Sequence, residues 1–127
     1  MKKSNNKFFA VFVLVNTIND LYAATTRPSD IGEEGQIGLP GGKIDEGENI
    51  LDAAYRECKE EGWEVKEIHP DPINIDYIEG KKIIWLKAKS ASKLKTYKEM
   101  KRLKPIEKSL LEISKSGYGN SFVKKYL

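Results

Sequence analysis

The stretch GKIDEGENILDAAYRECKEEGW, residues 42–63, is the part of this sequence that best predicts its fold. It holds seven carboxylates against three basic side chains, in a chain of 127 residues with a formal net charge of +3. Residues 80–127 hold the opposite excess, fourteen Lys and Arg against three Glu. An acidic focus beside a basic half favours a cation site next to a surface that meets phosphates. The alternative interpretation of the basic half is an ordinary lysine-rich, solvated surface.

The second half of this stretch has the pattern of an amphipathic helix. Asn49 is a favourable N-cap, and Asp52 follows it at the spacing of a capping arrangement. Gly62 is expected to end the helix. The apolar residues fall on one side and predict an inward stripe made of Ile50, Leu51, Ala54 and Cys58. Cys58 is interpreted as a small core residue, with a reactive thiol as the alternative.

Three glutamates of this helix share one face. Glu57, Glu60 and Glu61 are three and four residues apart, so their carboxylates converge. Like charges this close repel one another unless a cation neutralises them, and hard divalent ions such as Mg²⁺ or Mn²⁺ prefer oxygen ligands. His69 is the single histidine, which disfavours a zinc site. A solvated acidic helix face is the alternative.

The remaining elements predict an α+β chain, or a mixed αβα arrangement. The apolar run Phe8–Val15 is interpreted as a core strand rather than a signal peptide or a membrane span, and is expected to form a hairpin with Leu21–Thr26. Ser29–Gln36 reads as a loop. Further strands are predicted at Ile37–Leu39, Trp63–Ile68, Ile73–Ile78 and Lys82–Lys89, and helices at Leu94–Lys104, Ile106–Ser114 and in the tail.

Composition indicates one soluble globular domain over residues 1–127, with 39% apolar and 32% charged residues. The single cysteine excludes an internal disulfide and fits a reducing cytoplasm. Oligomeric state stays open at this point.

The acidic stretch resembles the signature of the Nudix hydrolases, G-x5-E-x7-R-E-U-x-E-E-x-G-U, in which U is a bulky apolar residue. The spacing is exact over the fixed positions Gly42, Glu48, Arg56, Glu57, Glu60 and Glu61. The leading Leu39-Pro40-Gly41-Gly42 also resembles the usual approach to this box. So many fixed residue types at fixed offsets make a strong signal.

Two positions depart from that signature. Cys58 stands where an aliphatic residue is usual, and the terminal glycine comes one residue early, at Gly62, with Trp63 in its place. A one-residue deletion at the end of the helix is the simplest account. It puts the placement of Glu61 in question.

The resemblance implies an αβα sandwich around a mixed β-sheet, with the box forming a loop–helix–loop. It also implies hydrolysis of a nucleoside diphosphate linked to another group, with Mg²⁺ or Mn²⁺ as the cofactor. Glu57, Glu60 and Glu61 would be metal ligands, supplemented by the carbonyl region of Gly42. The general base would be one of these glutamates, with Glu60 and Glu61 favoured, or a carboxylate of a downstream loop.

Supporting roles follow from the same resemblance. Arg56 would orient the glutamates through an ion pair with Glu48; an ordinary surface pair with Asp52 or Glu60 is the alternative. Glu48 and Gly62 are expected to be structural.

Substrate contacts lie outside the metal-binding glutamates. Arg27 and Gly41 are candidates for contact with the substrate phosphates, and Tyr77 and Trp85 for stacking on a base. The alternatives are a loop arginine and two core aromatics. The expected partner is a small-molecule nucleotide, with no membrane. Alternative functions are nucleotide sensing without turnover and removal of a 5′ pyrophosphate from RNA, the latter motivated by the basic half.

Overall fold

A computed structural model describes residues 9–26, 37–94, 104–115 and 123–124. Arg27, the predicted Ser29–Gln36 loop, nearly all of the predicted Leu94–Lys104 helix and most of the tail lie outside the described residues. At the borders of that predicted helix, Leu94 is not helical and Lys104 begins a strand. Of the helices that the structure describes, none is long and apolar enough to cross a membrane.

The described strands form two sheets. The first has the order β5-β1-β8-β6, with β7 also paired to β8, and consists of β1 (Phe9–Leu14), β5 (Gly41–Lys43), β6 (Trp63–Ile68), β7 (Asn74–Ile78) and β8 (Lys81–Lys93). β1 and β8 run parallel and the other pairs antiparallel, so the sheet is mixed. The second consists of β2 (Asn16–Ile18), β3 (Leu21–Thr26), β4 (Ile37–Gly38) and β9 (Lys104–Ser109). The helices are α1 (Ile50–Glu60) and α2 (Leu110–Ile113).

The mixed sheet separates two apolar clusters. Alternate residues of its central strands face opposite ways, as a strand's period of two requires. Val11 and Leu86 join the cluster that holds Ala54 and Cys58 of α1. Trp85 belongs to the other cluster, together with residues of β3 and α2. The helix α1 therefore covers one face and the second sheet covers the other, which confirms the predicted sandwich around a mixed sheet.

The predicted hairpin between Phe8–Val15 and Leu21–Thr26 is wrong. Leu21–Thr26 pairs instead with Asn16–Ile18, while β1 lies in the first sheet between β5 and β8. The chain changes sheets at Val15, whose carbonyl accepts a hydrogen bond from the Ala23 N–H at 3.0 Å. A continuous apolar run suits a central strand buried on both faces, and this is the position that β1 takes.

The predicted helix Ile106–Ser114 is also wrong over most of its length. Lys104–Ser109 forms β9, paired antiparallel along all of β3, and only Leu110–Ile113 is helical. Among the described strands β9 pairs with β3 alone, which makes it an edge strand there, and a proline in an edge strand need not break the ladder. Pairing with β3 has overridden the local helical pattern.

The apolar stripe of α1 and the end of β8 differ from their predictions. Ile50 is 37% exposed, and Ala53 is buried instead, beside the predicted Ala54 and Cys58. β8 extends to Lys93, beyond the predicted Lys89.

Candidate active site

The start of α1 is fixed by the predicted cap. The Asp52 N–H donates to Oδ1 of Asn49 at 2.8 Å, and Nδ2 of Asn49 donates to the Asp52 carboxylate at 2.9 Å. Ala54 and Cys58 pack into the core, which fixes the rotation of the helix about its axis. The face of α1 that carries Glu57 and Glu61 is thereby turned towards Gly41 and Gly42, the first two residues of β5.

Glu57 lies directly against Gly42. Its side chain is almost fully buried, and a Cβ added to Gly42 would lie 2.6 Å from both Cδ and Oε1 of Glu57. A real side chain does not approach a carboxylate so closely, so glycine at position 42 is what lets α1 and β5 meet here.

Glu61 lies against the other glycine. Its residue is 3% exposed, and Oε1 accepts a hydrogen bond from the Gly41 N–H at 3.2 Å. A side chain at Gly41 would collide with the backbone of Val11. Two carboxylates on one face of α1 therefore lie against two successive glycines, Gly41 and Gly42.

Glu61 lies at the end of α1, directly before the early glycine. Glu61 is the C-cap of α1, and its N–H donates to the carbonyls of Glu57 and Cys58, each at 3.1 Å. Gly62 has φ +92°, the left-handed conformation that ends a helix at low cost when the residue is glycine. The helix is thus closed just after Glu61 rather than frayed at it.

Arg56 ties the loop before the helix to the glutamates on it. Nε and Nη2 donate to the two carboxylate oxygens of Glu48 at 2.7 and 2.9 Å, a bidentate pair. Nη1 donates to Glu57 at 3.1 Å and to Glu60 at 3.2 Å. Nη2 also donates to the Lys43 carbonyl at 3.1 Å. The predicted pair with Glu48 and the alternative pair with Glu60 are therefore both present.

The ionisable groups respond to these contacts. The hydrogen bond from Arg56 holds the pKa of the Glu48 carboxyl below its ordinary value, against a smaller opposing effect of burial. Conversely, the Glu48 hydrogen bond raises the pKa of Arg56 further. Burial, followed by the nearby charges of Glu61 and Glu57, raises the pKa of the Cys58 thiol well above its ordinary value. Cys58 is thus a core residue with its thiol kept protonated.

Comparison with known proteins agrees with this geometry. The family model of the NUDIX domain matches residues 8–94, well over half of the chain. The chain belongs to the Nudix family. Membership of this family shows the class of enzyme, a pyrophosphohydrolase, but does not identify the substrate. No curated protein matches the sequence.

Solved structures with the Nudix fold resemble it at low sequence identity. An ADP compounds hydrolase superposes with a TM-score of 0.69 at 18% identity, covering 93% of this chain and 71% of the other. A MutT protein studied from Aliivibrio salmonicida and Vibrio cholerae gives 0.65 at 18%, covering 92% and 95%. A MutT protein from Bacillus halodurans gives 0.63 at 23%, covering 92% and 79%. Similarity at this level concerns the fold.

The Nudix glutamates fit a hard divalent cation by their chemistry. Glu57, Glu60 and Glu61 offer oxygen acceptors only, and the Gly42 backbone lies beside Glu57 without a Cβ between them. Within the residues that the structure describes, however, no three Asp, Glu, His or Cys side chains are arranged to hold a metal ion. Arg56 holds Glu57 and Glu60, and Glu61 accepts from Gly41. A bound cation would compete with Arg56 and with the Gly41 N–H for these carboxylates.

The candidate substrate residues are dispersed. Tyr77 is 74% exposed on the edge strand β7. Trp85 is 1% exposed, stacks on Phe12 with ring centroids 5.1 Å apart, and donates from Nε1 to Asp76 at 2.9 Å. Trp85 is thus placed in the core, where a nucleotide base reaches it only if its neighbours move. Arg27 lies outside the described residues.

Several contacts that support the Nudix helix carry no signal in the sequence pattern. The Ile68 N–H donates to the Tyr55 hydroxyl at 2.9 Å, linking α1 to β6. Nε1 of Trp63 donates to the Ala24 carbonyl at 2.9 Å, linking the end of α1 to the second sheet. Both are contacts between segments distant in the chain, which helical or strand periodicity does not reveal.

Proposed function

We propose that this protein hydrolyses a pyrophosphate bond in a nucleoside diphosphate-linked substrate, with Mg²⁺ or Mn²⁺ as the cofactor. One observation carries the proposal: Glu57 and Glu61, both almost fully buried, are seated on the backbone of Gly42 and Gly41. Buried carboxylates are costly unless a positive charge or donors compensate them. Arg56 is a cation in contact with this face, and its strongest pair is with Glu48.

The glutamates would hold the cation together, with the Gly42 carbonyl as a supplement. Bound there, a divalent cation neutralises the charge of a pyrophosphate and lowers the pKa of a coordinated water. Glu57 and Glu61 are enclosed by protein, which fits the role of ligands held in fixed positions. Arg56 would keep the carboxylates oriented and so act as a positioning residue.

Glu60 is the best placed of the three to accept the proton of the attacking water. Its side chain is 39% exposed, so it reaches the solvent from which water and substrate arrive. The water oxygen bonds to one phosphorus, the bridging P–O bond breaks, and the leaving phosphate departs with the bridging oxygen. Nη1 of Arg56 donates to Glu60 at 3.2 Å and would orient the carboxylate that takes the proton.

The substrate class is taken from the family and from the charge of the chain. We propose that the whole chain is a single Nudix domain that acts in a reducing compartment such as the cytoplasm, consistent with its free, buried Cys58. The similarity to an ADP compounds hydrolase and to MutT proteins suggests testing ADP-linked substrates and nucleoside triphosphates first.

A substrate panel tests the proposal. It contains NTPs, dNTPs, ADP-ribose, NAD, FAD and dinucleoside polyphosphates, each with Mg²⁺ and with Mn²⁺. Turnover of at least one member, lost on chelation and lost again in Glu60→Gln or Glu61→Gln, is expected. Absence of turnover by folded protein, or full activity of both variants, would contradict it.

A second candidate is nucleotide binding without turnover. It is favoured by Arg56, which holds two of the three glutamates in hydrogen bonds. Ligand-induced increases in Tm without any product would support this candidate over hydrolysis. Adding 5′-triphosphorylated RNA to the panel, at several salt concentrations, tests the RNA-directed variant, for which strongly salt-dependent binding is expected.

A further inference from the structure

The residue after Glu61 packs against the second sheet. A Cβ added to Gly62 would lie 2.7 Å from Cγ and 2.9 Å from Cδ of Pro105. Pro105 belongs to β9 and is paired in register with Thr25 of β3. The end of the Nudix helix therefore abuts a strand that the signature does not include, at the position where the glycine comes one residue early.

Two further contacts hold the same segment. Nε1 of the fully buried Trp63 donates to the carbonyl of Ala24, the β3 neighbour of Thr25. The Leu94 N–H donates to the Gly62 carbonyl at 2.9 Å. The two residues that follow Glu61 are thus fixed to adjacent strands of the second sheet and to the end of β8.

Glu61 lies between this anchored segment and Gly41. Its N–H closes the last turn of α1, and its carboxylate accepts from the Gly41 N–H. A displacement of Gly62 is transmitted to Glu61 through one peptide bond, which is planar and rigid. The position of Gly62 therefore affects the position of the Glu61 carboxylate relative to Gly41.

We propose that Pro105 is a positioning residue for the Nudix site. By packing on Gly62, its ring sets where the last turn of α1 ends and so holds Glu61 against Gly41. The consequence for catalysis rests on the proposed function, whereas the effect on Glu61 does not.

The glycines of the chain supply a matched control. Gly62 at φ +92° and Gly80 at φ +80° have the same strained backbone region, in which any other residue is disfavoured. A Cβ added to Gly80 meets nothing within 4 Å, in contrast to the Pro105 ring at Gly62. Gly80→Ala therefore reproduces the backbone strain of Gly62→Ala without the contact.

The test uses Pro105→Ala, Gly62→Ala, the double variant and Gly80→Ala. In metal-free protein, NMR follows the chemical shift and hydrogen exchange of the Gly41 amide, the donor to Glu61. Mn²⁺ affinity is measured by electron paramagnetic resonance, and Tm by thermal unfolding. Pro105→Ala and Gly62→Ala are expected to shift the Gly41 amide, accelerate its exchange and weaken Mn²⁺ binding about threefold or more. Gly80→Ala should lower Tm without changing the Gly41 amide or the Mn²⁺ affinity.

The double variant sharpens the result. Pro105→Ala removes Cγ and Cδ, the two closest atoms, and leaves Cβ at 3.3 Å from the added methyl, so Gly62→Ala should cost less Mn²⁺ affinity in the Pro105→Ala background than in the wild type. An unchanged Gly41 amide in Pro105→Ala, or additive effects in the double variant, would overturn the proposal. A shifted Gly41 amide in a protein that hydrolyses nothing would leave the positioning role intact and refute the proposed function alone.

Discussion

Arg56 donates two hydrogen bonds to the Glu48 carboxylate, from Nε at 2.7 Å and from Nη2 at 2.9 Å. Its third nitrogen, Nη1, donates to Glu57 and Glu60. The pair joins the loop that precedes α1 to the acidic face of the helix. A planar guanidinium with five donors fits this arrangement, whereas an ammonium does not. Arg56 is therefore the link between the loop and the face proposed to hold metal.

Replacement of Arg56 by lysine tests this link. Arg56→Lys keeps the charge but loses the bidentate geometry, so we expect about 1–3 kcal/mol lower stability. The catalytic rate should fall about 10- to 100-fold because the carboxylates lose their orientation. Lys59→Ala, at an exposed basic residue of the same helix, is the control and should change the free energy of unfolding by less than about 0.5 kcal/mol. Equal behaviour of the two variants would refute the role of Arg56.

Acid should weaken the fold partly through Glu48. Because Arg56 holds the pKa of the Glu48 carboxyl below its ordinary value in the folded state, the unfolded chain binds that proton more readily. The contribution of Glu48 to stability is therefore complete above the ordinary Glu pKa of about 4.3 and is lost as the pH falls towards the depressed value. Urea unfolding from pH 7 to pH 3 should show a flatter pH dependence for Glu48→Gln than for the wild type. Parallel curves would contradict this account.

Tyr77 and Trp85 should respond differently to substitution. Trp85→Phe removes the hydrogen bond to Asp76 inside the core and should cost about 1–3 kcal/mol of stability, with KM unchanged.

Tyr77 is exposed, so Tyr77→Ala should leave stability within about 0.5 kcal/mol. If Tyr77 stacks on the base, KM should rise about fivefold or more. An unaltered KM would remove Tyr77 from the site.

Cys58 should be inert in the native protein. Its thiol is fully buried and its pKa is raised by that burial, so little thiolate is present or accessible. Reaction with a thiol-specific disulfide reagent at pH 8 should be slow in buffer and become rapid after unfolding in guanidinium. Fast labelling of folded protein would restore the alternative of a reactive cysteine.

The box helix could be predicted from the sequence almost completely, whereas the long-range strand pairing could not. Asn49, the apolar spacing and Gly62 were sufficient to predict α1, because caps and helical period act within a few residues. The hairpin assigned to Phe8–Val15 failed because strand pairing is decided by distant partners. The helix predicted at Ile106–Ser114 is wrong for the same reason, since Lys104–Ser109 pairs with β3 along its whole length.

Within the site, spacing brought the three glutamates to one face but did not reveal what holds them. The seat of Glu57 on Gly42 and the contact of Gly62 with Pro105 join separate elements, so no local pattern encodes them. The early Gly62 raised the question of whether Glu61 remains in place. In the structure, the last turn of α1 is closed at Glu61, and the Glu61 carboxylate accepts a hydrogen bond from the Gly41 N–H.

The most direct test is the divalent-dependent hydrolysis of the substrate panel by the wild type and by Glu61→Gln. The glutamine retains an oxygen that accepts from Gly41 but loses the negative charge, so fold and Tm should persist. We predict turnover of at least one nucleoside diphosphate-linked compound by the wild type. We also predict a loss of at least about 100-fold in the variant, beyond the effect typical of outer-shell partners. Wild-type activity in Glu61→Gln, or no hydrolysis by the wild type with either metal, would contradict the central claim.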